Sequence, residues 1–317
     1  MLAGDKPPAK SGTLMKDMDP LDLLAASDDE HRPDLENRVA FQWRDRQDSL
    51  AHQHATQRDD VVLRLLADAS RRGTEPRGVL DVGCAYGNYA LMLNAMLGRD
   101  QSIAIRGVDL YEPHLQYGAA FARQVPGYAN CEFSRADITE GLPFEDGTFD
   151  AICLADVLEH IEKPVEALAE LRRVAKPGAS IIISTPLSTS PFKRLARRTN
   201  RLTRGFLYQR YYSGKGSELD AQGEPVMVVS AGHDHVSEMT LLELRQTAEA
   251  AGLTVTAIEP MSIMSGSKWF DAHPFVLAGI MLMEAAHRRL GRPSWGHSVV
   301  LELTRPSDAG ARTHTPR

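Results

Sequence analysis

The chain reads as an α/β protein built on one doubly wound parallel sheet, and three observations predict it. Residues 78–88, GVLDVGCAYGN, run from a short apolar segment through Asp81 into a turn marked by Gly83 and Gly87, the pattern of a strand feeding a glycine turn and then a helix. From there to residue 186, apolar β-rich runs alternate with amphipathic helical segments, as they do in a parallel sheet with crossover helices. Bulk agrees: 317 residues, 43% of them hydrophobic, suffice for one large domain with a sizeable core and attached segments.

Taken in order, residues 1–33 are rich in Lys, Asp, Pro, Gly and Ser without periodicity, which predicts a mobile tail. Residues 34–72 predict two helices, the second placing Val61, Val62, Leu65 and Leu66 at core-facing spacing before a break at Gly73. After the glycine turn, SIAIRGVDLYEP (102–113) is a strand closing on Asp109, with Pro113 opening a helix. A third strand ends near Asp137, a fourth runs through FDAICLADVLEHI (149–161), and RRVAKPGASIIISTP (172–186) holds a Pro-Gly turn and a fifth. TLLELRQTAEAAG (240–252) is an amphipathic helix capped by Thr240 and stopped by Gly252. LTVTAIEPM and HSVVLELTR supply two more strands, making seven, and residues 307–317 are expected to be a disordered tail.

A glycine turn of this kind serves several ligand classes. The dinucleotide fingerprint G-x-G-x-x-G, counted from Gly83, requires glycines where Ala85 and Asn88 stand. A phosphate-cradling P-loop requires a Lys that does not follow Gly87. What remains is D-x-G-x-x-x-G, and here the chain resembles the first motif of class I S-adenosylmethionine-dependent methyltransferases, with Ala85 at the place of a third glycine.

The resemblance continues in order to about residue 185. It implies a Rossmann-like, doubly wound, seven-stranded sheet whose last strand lies antiparallel between the fifth and the sixth, with residues 34–72 as a helical cap over the cofactor site. It also implies the cofactor, S-adenosyl-L-methionine, and the residues that hold it: Asp81, Gly83, Ala85 and Gly87 in the first motif, and Asp109 with Leu110 at the second strand. Asp109 would accept hydrogen bonds from both ribose hydroxyls, two oxygens of one carboxylate suiting a vicinal diol. Asp137 would bind the adenine amino group, with the Ile138 backbone beside it, and Ala155 lies at the end of the fourth strand.

Catalysis is less determined. A hydroxyl acceptor needs its proton removed by a base with a pKa near neutrality. His160, at the end of D-V-L-E-H beyond the fourth strand, is the first candidate, and His233 and His235 in AGHDHVSE are the others. Asp156, Glu159 and His160 also form D-x-x-E-H, similar to the E-x-x-E-H that binds a divalent ion in ubiquinone-pathway O-methyltransferases and in small-RNA 2′-O-methyltransferases. Such an ion would lower the pKa of an acceptor hydroxyl. Asp156 is one methylene shorter than the family's Glu, and L-E-H-I stands at this place in metal-free members too, so the base and the metal remain alternatives.

Two insertions are this chain's own. Residues 187–232 form a lid insertion in which 193–215 carry eight Lys or Arg and no acid, consistent with a solvated lid, an anionic substrate, nucleic acid or peripheral contact with an acidic membrane surface. Residues 261–295 form a helical insertion around PFVLAGIMLMEAAHRRL, opened by Pro274 and ended by Gly291, too short to span a bilayer and expected to pack on the core, with an adaptable hydrophobic pocket or a lipid contact as the alternatives. The methyltransferase domain as a whole is expected over 34–306.

The net charge of −6 argues against a nucleic-acid partner. Cys84, Cys131 and Cys153 lie in or beside predicted strands and read as buried, reduced thiols, consistent with a cytoplasmic protein. The expected activity is O-methylation of a small, partly hydrophobic acceptor. Its alternatives are a metal-dependent RNA 2′-O-methyltransferase and a cofactor-binding scaffold without turnover. The sequence does not fix the oligomeric state.

Overall fold

The computed structural model describes residues 50–188, 190, 194, 198, 217–219, 225–227, 236–262, 274–291 and 293–307. Helix α1 spans Leu50–Arg72, and β1 (Arg77–Val82), α2 (Asn88–Met96), β2 (Ile103–Asp109), α3 (Glu112–Gln124) and β3 (Cys131–Arg135) follow. Next come β4 (Phe149–Ala155), a 3₁₀ turn at Leu158–His160, α4 (Pro164–Val174) and β5 (Ala175–Pro186). Two short strands, β6 (Ser217–Leu219) and β7 (Pro225–Met227), pair with each other. The chain then continues through α5 (Leu241–Ala250), β8 (Thr254–Pro260), α6 (Pro274–Leu290) and β9 (Ser298–Thr304).

The main sheet has seven strands in the order β3-β2-β1-β4-β5-β9-β8. The first five are parallel, and β9 runs antiparallel between β5 and β8, as the resemblance implies. Residues Phe149–Leu154 of β4 are all buried, because a central parallel strand is covered on both faces by helices. Side chains alternate between two half-cores. Ala151, Cys153 and Ile182 join Val62, Leu66, Leu91 and Phe121 on the face of α1, α2 and α3. Ile152, Leu154, Ile181 and Ile183 join Leu168, Leu171 and Leu244 on the face of α4 and α5. Each such leucine or isoleucine contributes about 1.5–3 kcal/mol of burial.

Local signals explain the ends of the elements. The Glu243 amide donates to Thr240 Oγ1 at 3.1 Å and the Thr240 amide to Glu243 Oε2 at 2.7 Å, a reciprocal cap on α5. Gly252 ends that helix with φ +74°. The three cysteines are buried and free.

Residues 34–49 of the expected cap lie outside the described residues, as do residues 1–33 and 308–317 of the expected tails and most of the lid insertion. The described helix α1 meets the expected core-facing spacing and adds one contact that the sequence did not suggest. Val62 and Leu66 are buried in the half-core on one sheet face, and Arg58, a turn further out, extends to Asp156 beyond β4. The helix is thus a layer of the fold from which one cation reaches the site edge. Among the described residues no helix is long and apolar enough to cross a membrane.

Candidate functional site

The carboxyl ends of β1, β2 and β4 converge on the glycine turn, where ligands bind in open α/β sheets. Leaving β1, the chain turns so that the amides of Gly83 and Cys84 both donate to the Val108 carbonyl, at 2.8 and 3.0 Å. Gly83, Ala85 and Gly87 all take positive φ, +70°, +48° and +82°, and Gly87 is the left-handed N-cap of α2. Ala85 therefore stands in a conformation that favours glycine, which accounts for the family's third glycine at this point. The turn is held by Asp109, whose Oδ2 accepts the Ala85 amide at 2.8 Å while Oδ1 accepts that of Tyr111 at 2.9 Å.

The glycines also serve packing, which the sequence reading attributed to ligand approach. A Cβ on Gly87 would stand 2.4 Å from the Phe133 ring, and one on Gly107 2.5 Å from it. A Cβ on Gly83 would stand 2.3 Å from Val157 Cγ2. Two glycines on different elements thus make room for one phenylalanine of β3.

Asp81, the last carboxylate before the turn, is 3% exposed. Burial pushes its carboxyl up to about 7, with hydrogen bonding to Cys153 and to the Ala90 backbone opposing and the charge of Asp109 adding to the rise. Its Oδ2 is buried without a hydrogen-bond partner, and such an atom costs free energy until a donor reaches it. Asp137 lies two residues past β3 and bends the chain there, its Oδ1 accepting the Thr139 amide at 2.8 Å and the Thr139 hydroxyl at 2.7 Å. Ile138 beside it is buried, while Leu110, past Asp109, is exposed.

Beyond β4 the chain passes Ala155 into Asp156, held at φ +54°. The Asp156 amide donates to the Ser184 carbonyl at 2.9 Å, and Asp156 Oδ1 accepts the Ser184 hydroxyl at 2.8 Å. Its Oδ2 accepts the guanidinium of Arg58. Arg58 also pairs with Asp59, whose Oδ1 accepts the Tyr89 hydroxyl at 2.6 Å. Glu159 is buried, and burial first, then Asp156, pushes its carboxyl up to about 7, the hydrogen bond from Thr185 to Oε2 opposing. The Val236 and Ser237 amides donate to the Glu159 carbonyl, at 2.9 and 3.0 Å, so the segment before α5 is laid over this turn. His160 closes it, half-buried, its amide donating to the Val157 carbonyl at 2.9 Å.

Of the sequence-predicted residues, Asp81, Gly83, Ala85, Gly87 and Asp109 are thus brought together around the turn, and Asp156, Glu159 and His160 stand on one turn after β4. His233 and His235 lie outside the described residues. The D-x-x-E-H carboxylates are engaged internally, Asp156 by Arg58 and Ser184 and Glu159 by Thr185. Among the described residues no group of three or more His, Cys, Asp or Glu is placed to hold a metal ion. The sequence reading missed Arg58, Ser184 and Thr185. Ser184 and Thr185 had a signal, two hydroxyls ending an otherwise apolar strand; Arg58 had none, since a charged residue early in an amphipathic helix reads as solvated.

A buried acceptor atom lacking a donor, a turn of bare backbone and the Asp109 carboxylate fit the groups of S-adenosylmethionine: an ammonium, a tail passing close to main chain and a ribose diol. Residues 50–258 match a family described as a methyltransferase domain. Over 39% of the chain it is 27% identical to norajmaline N-methyltransferase of Rauvolfia serpentina, covering 41% of that protein. It is 31% identical to demethylmenaquinone methyltransferase of Staphylococcus aureus over 39% of this chain and 49% of the relative. The chain thus spans about half the length, or less, of these curated relatives. The fold is shared with a putative sarcosine dimethylglycine methyltransferase from Galdieria sulphuraria, at TM-score 0.52 and 15% identity over 86% of this chain and 98% of that one. It is also shared with the [4+2]-cyclase SpnF, at TM-score 0.50 and 19% identity over 84% and 85%, so the fold by itself does not decide the reaction. The family match together with the ordered motifs does decide the lineage: the chain belongs to the class I S-adenosylmethionine-dependent methyltransferases.

Proposed function

We propose that this protein transfers the methyl group of S-adenosylmethionine to a hydroxyl of a small, partly hydrophobic acceptor. The observation that carries the reading is the gathering of Asp81, the Gly83–Gly87 turn and Asp109 at the carboxyl ends of β1 and β2. The Asp81 carboxylate would receive the cofactor's ammonium, the Asp109 carboxylate its ribose diol, and Asp137 with Ile138 its adenine. The cofactor supplies a methyl group already activated by a sulfonium, so the protein's main task is to hold the acceptor in line with it. His160, half-buried past the end of β4, would take the hydroxyl proton as that oxygen attacks. His233 and His235 are its alternatives. One relative is an N-methyltransferase and another acts on demethylmenaquinone, so the choice of oxygen rests on a base beside the site.

A metal does not enter this reading, because the Asp156 carboxylate is already occupied by Arg58 and Ser184. The test has two stages. Calorimetric titration with S-adenosylhomocysteine should show binding that Asp109→Ala weakens at least tenfold, the loss of charge-assisted hydrogen bonds worth roughly 1.5–3 kcal/mol each. A screen of phenols, hydroxy acids and amines with methyl-labelled cofactor should then give an O-methyl product, with kcat about 10² to 10⁴ lower for His160→Ala. Label appearing on nitrogen or carbon overturns the choice of acceptor atom, and unchanged binding by Asp109→Ala overturns the placement of the ribose.

A further inference from the structure

Helix α6 is amphipathic the wrong way round. A helix on the surface of a water-soluble domain turns its apolar stripe to the core and its charges to solvent. In α6 the inward positions include Glu284 and His287, 5% and 3% exposed, beside Ile280 at 3%. Glu284 Oε1 accepts the Ser262 hydroxyl at 2.6 Å, so the polar side is tied to the end of β8. The outward positions include Phe275, 93% exposed, Leu282, 73%, and Leu290, 58%, flanked by the exposed Met281 and Met283. Exposed large apolar side chains gathered on one helix face mark an interaction site.

Charge identifies what it meets. The only acid of α6 is Glu284, turned inward, and its outward face carries the exposed cation Arg289. A second source of positive charge starts beside it. The Ser190 hydroxyl reaches the Trp295 carbonyl just beyond α6 at 3.4 Å, and the Arg194 amide donates to the Ser190 carbonyl at 3.0 Å. This brings the exposed Arg194 to the α6 end of the molecule. In a chain of net charge −6, one corner therefore combines an apolar helix face, the exposed indole of Trp295 and cations that no acid faces among the described residues. We propose that this face of α6 seats the protein on an anionic lipid surface, the helix lying in the interfacial plane with its apolar side among the acyl chains and its arginines at the headgroups. A second copy pairing through this same face would bring to the cations no acid of α6 but the inward-turned Glu284, which is why the lipid surface is favoured.

The experiment is co-sedimentation of the full chain with vesicles of phosphatidylcholine alone and of equal parts phosphatidylcholine and phosphatidylglycerol, with light scattering in solution alongside. Retention on the anionic vesicles is expected at low salt, weakened by added salt and weak on the neutral ones. Leu282→Glu should lower retention about tenfold or more by placing a charge in the acyl region, and Arg289→Glu should lower it and reduce its salt dependence. Both variants should keep the wild-type far-UV spectrum and melting temperature, since neither side chain supports the core. No retention on anionic vesicles, equal retention on neutral ones, or retention untouched by Leu282→Glu each overturns the proposal. A dimer in solution that Leu282→Glu dissociates also overturns it, by giving the face to a second copy. None of these outcomes bears on the choice of methyl acceptor.

Discussion

Replacing Asp81 with Asn tests the cofactor site through a buried carboxyl whose state is set by its surroundings. Burial raises this group from 3.8 in the unfolded chain to about 7 in the fold, and each unit corresponds to about 1.36 kcal/mol between the two protonation states. The protonated form is therefore favoured in the native state by at most about 4 kcal/mol. Because the native pKa is the higher one, that stability is fully present below the unfolded value and is lost as pH rises through about 7. The amide of the variant cannot ionise, so wild type should lose stability relative to Asp81→Asn between about pH 4 and pH 7 and run parallel to it above.

The ligand inverts the comparison. An ammonium at Oδ2 stabilises the carboxylate, so S-adenosylhomocysteine should bind wild type more weakly as pH falls below about 7. The Asp81→Asn variant should bind about tenfold to a hundredfold more weakly than wild type at pH 8, from the loss of a charged hydrogen bond of roughly 1.5–3 kcal/mol. Urea denaturation across that pH range, with calorimetry in parallel, reads both. Parallel stability curves through the window would refute the buried ionisation, and equal affinities at pH 8 would refute the ammonium placement.

Two further substitutions probe the walls of the site. Ala85→Gly removes a Cβ from a residue at φ +48°, relieving about 1 kcal/mol of strain while adding unfolded-chain entropy of about 0.4–1 kcal/mol; thermal melting should show no loss and at most a gain of about 1 kcal/mol, with cofactor affinity unchanged, and a clear loss would mean that the methyl group makes a needed contact. Arg58→Met breaks the pair with Asp156, whose side chains are 27% and 39% exposed. Solvent screening brings the loss below the 3–5 kcal/mol of a fully buried pair, to about 1–2 kcal/mol. A double-mutant cycle with Asp156→Asn measures the coupling, and a value near zero would show the contact to be incidental.

The fold was largely legible because it is specified locally. Thr240 with Glu243, Pro113 at the start of α3 and Gly252 and Gly291 past the ends of helices each act within a turn of where they stand, so a reader of sequence sees the same cause that the chain obeys. Strand identity was equally open, since Phe149–Leu154 and Ile181–Ile183 are buried throughout and a strand covered on both faces has to be mostly apolar. The direction in which α6 faces was not legible. PFVLAGIMLMEAAHRRL has apolar residues on every side, and nothing within the segment says whether Leu282 or Glu284 turns inward; that depends on Ser262, twenty-two positions earlier, meeting Glu284.

The placement of the candidate site at the strand ends was legible, and the contacts between residues distant in sequence were not. Gly83, Asp109 and Asp137 stand at strand ends that the alternation of elements reveals, and their spacing is the motif. The D-x-x-E-H run shows the opposite case. Its spacing promises that three ligating side chains are near in sequence, but the promise holds only if nothing else claims them. Arg58 comes from a helix ninety-eight positions away and claims Asp156, while burial between β4, β5 and the segment at Val236 raises the pKa of Glu159 toward neutrality. The Glu159 carboxyl, which burial raises to about 7, accepts the Thr185 hydroxyl, and the Asp156 carboxylate beside it is engaged by a guanidinium. Together these two contacts tie the turn on which His160 stands to α1 and to the end of β5.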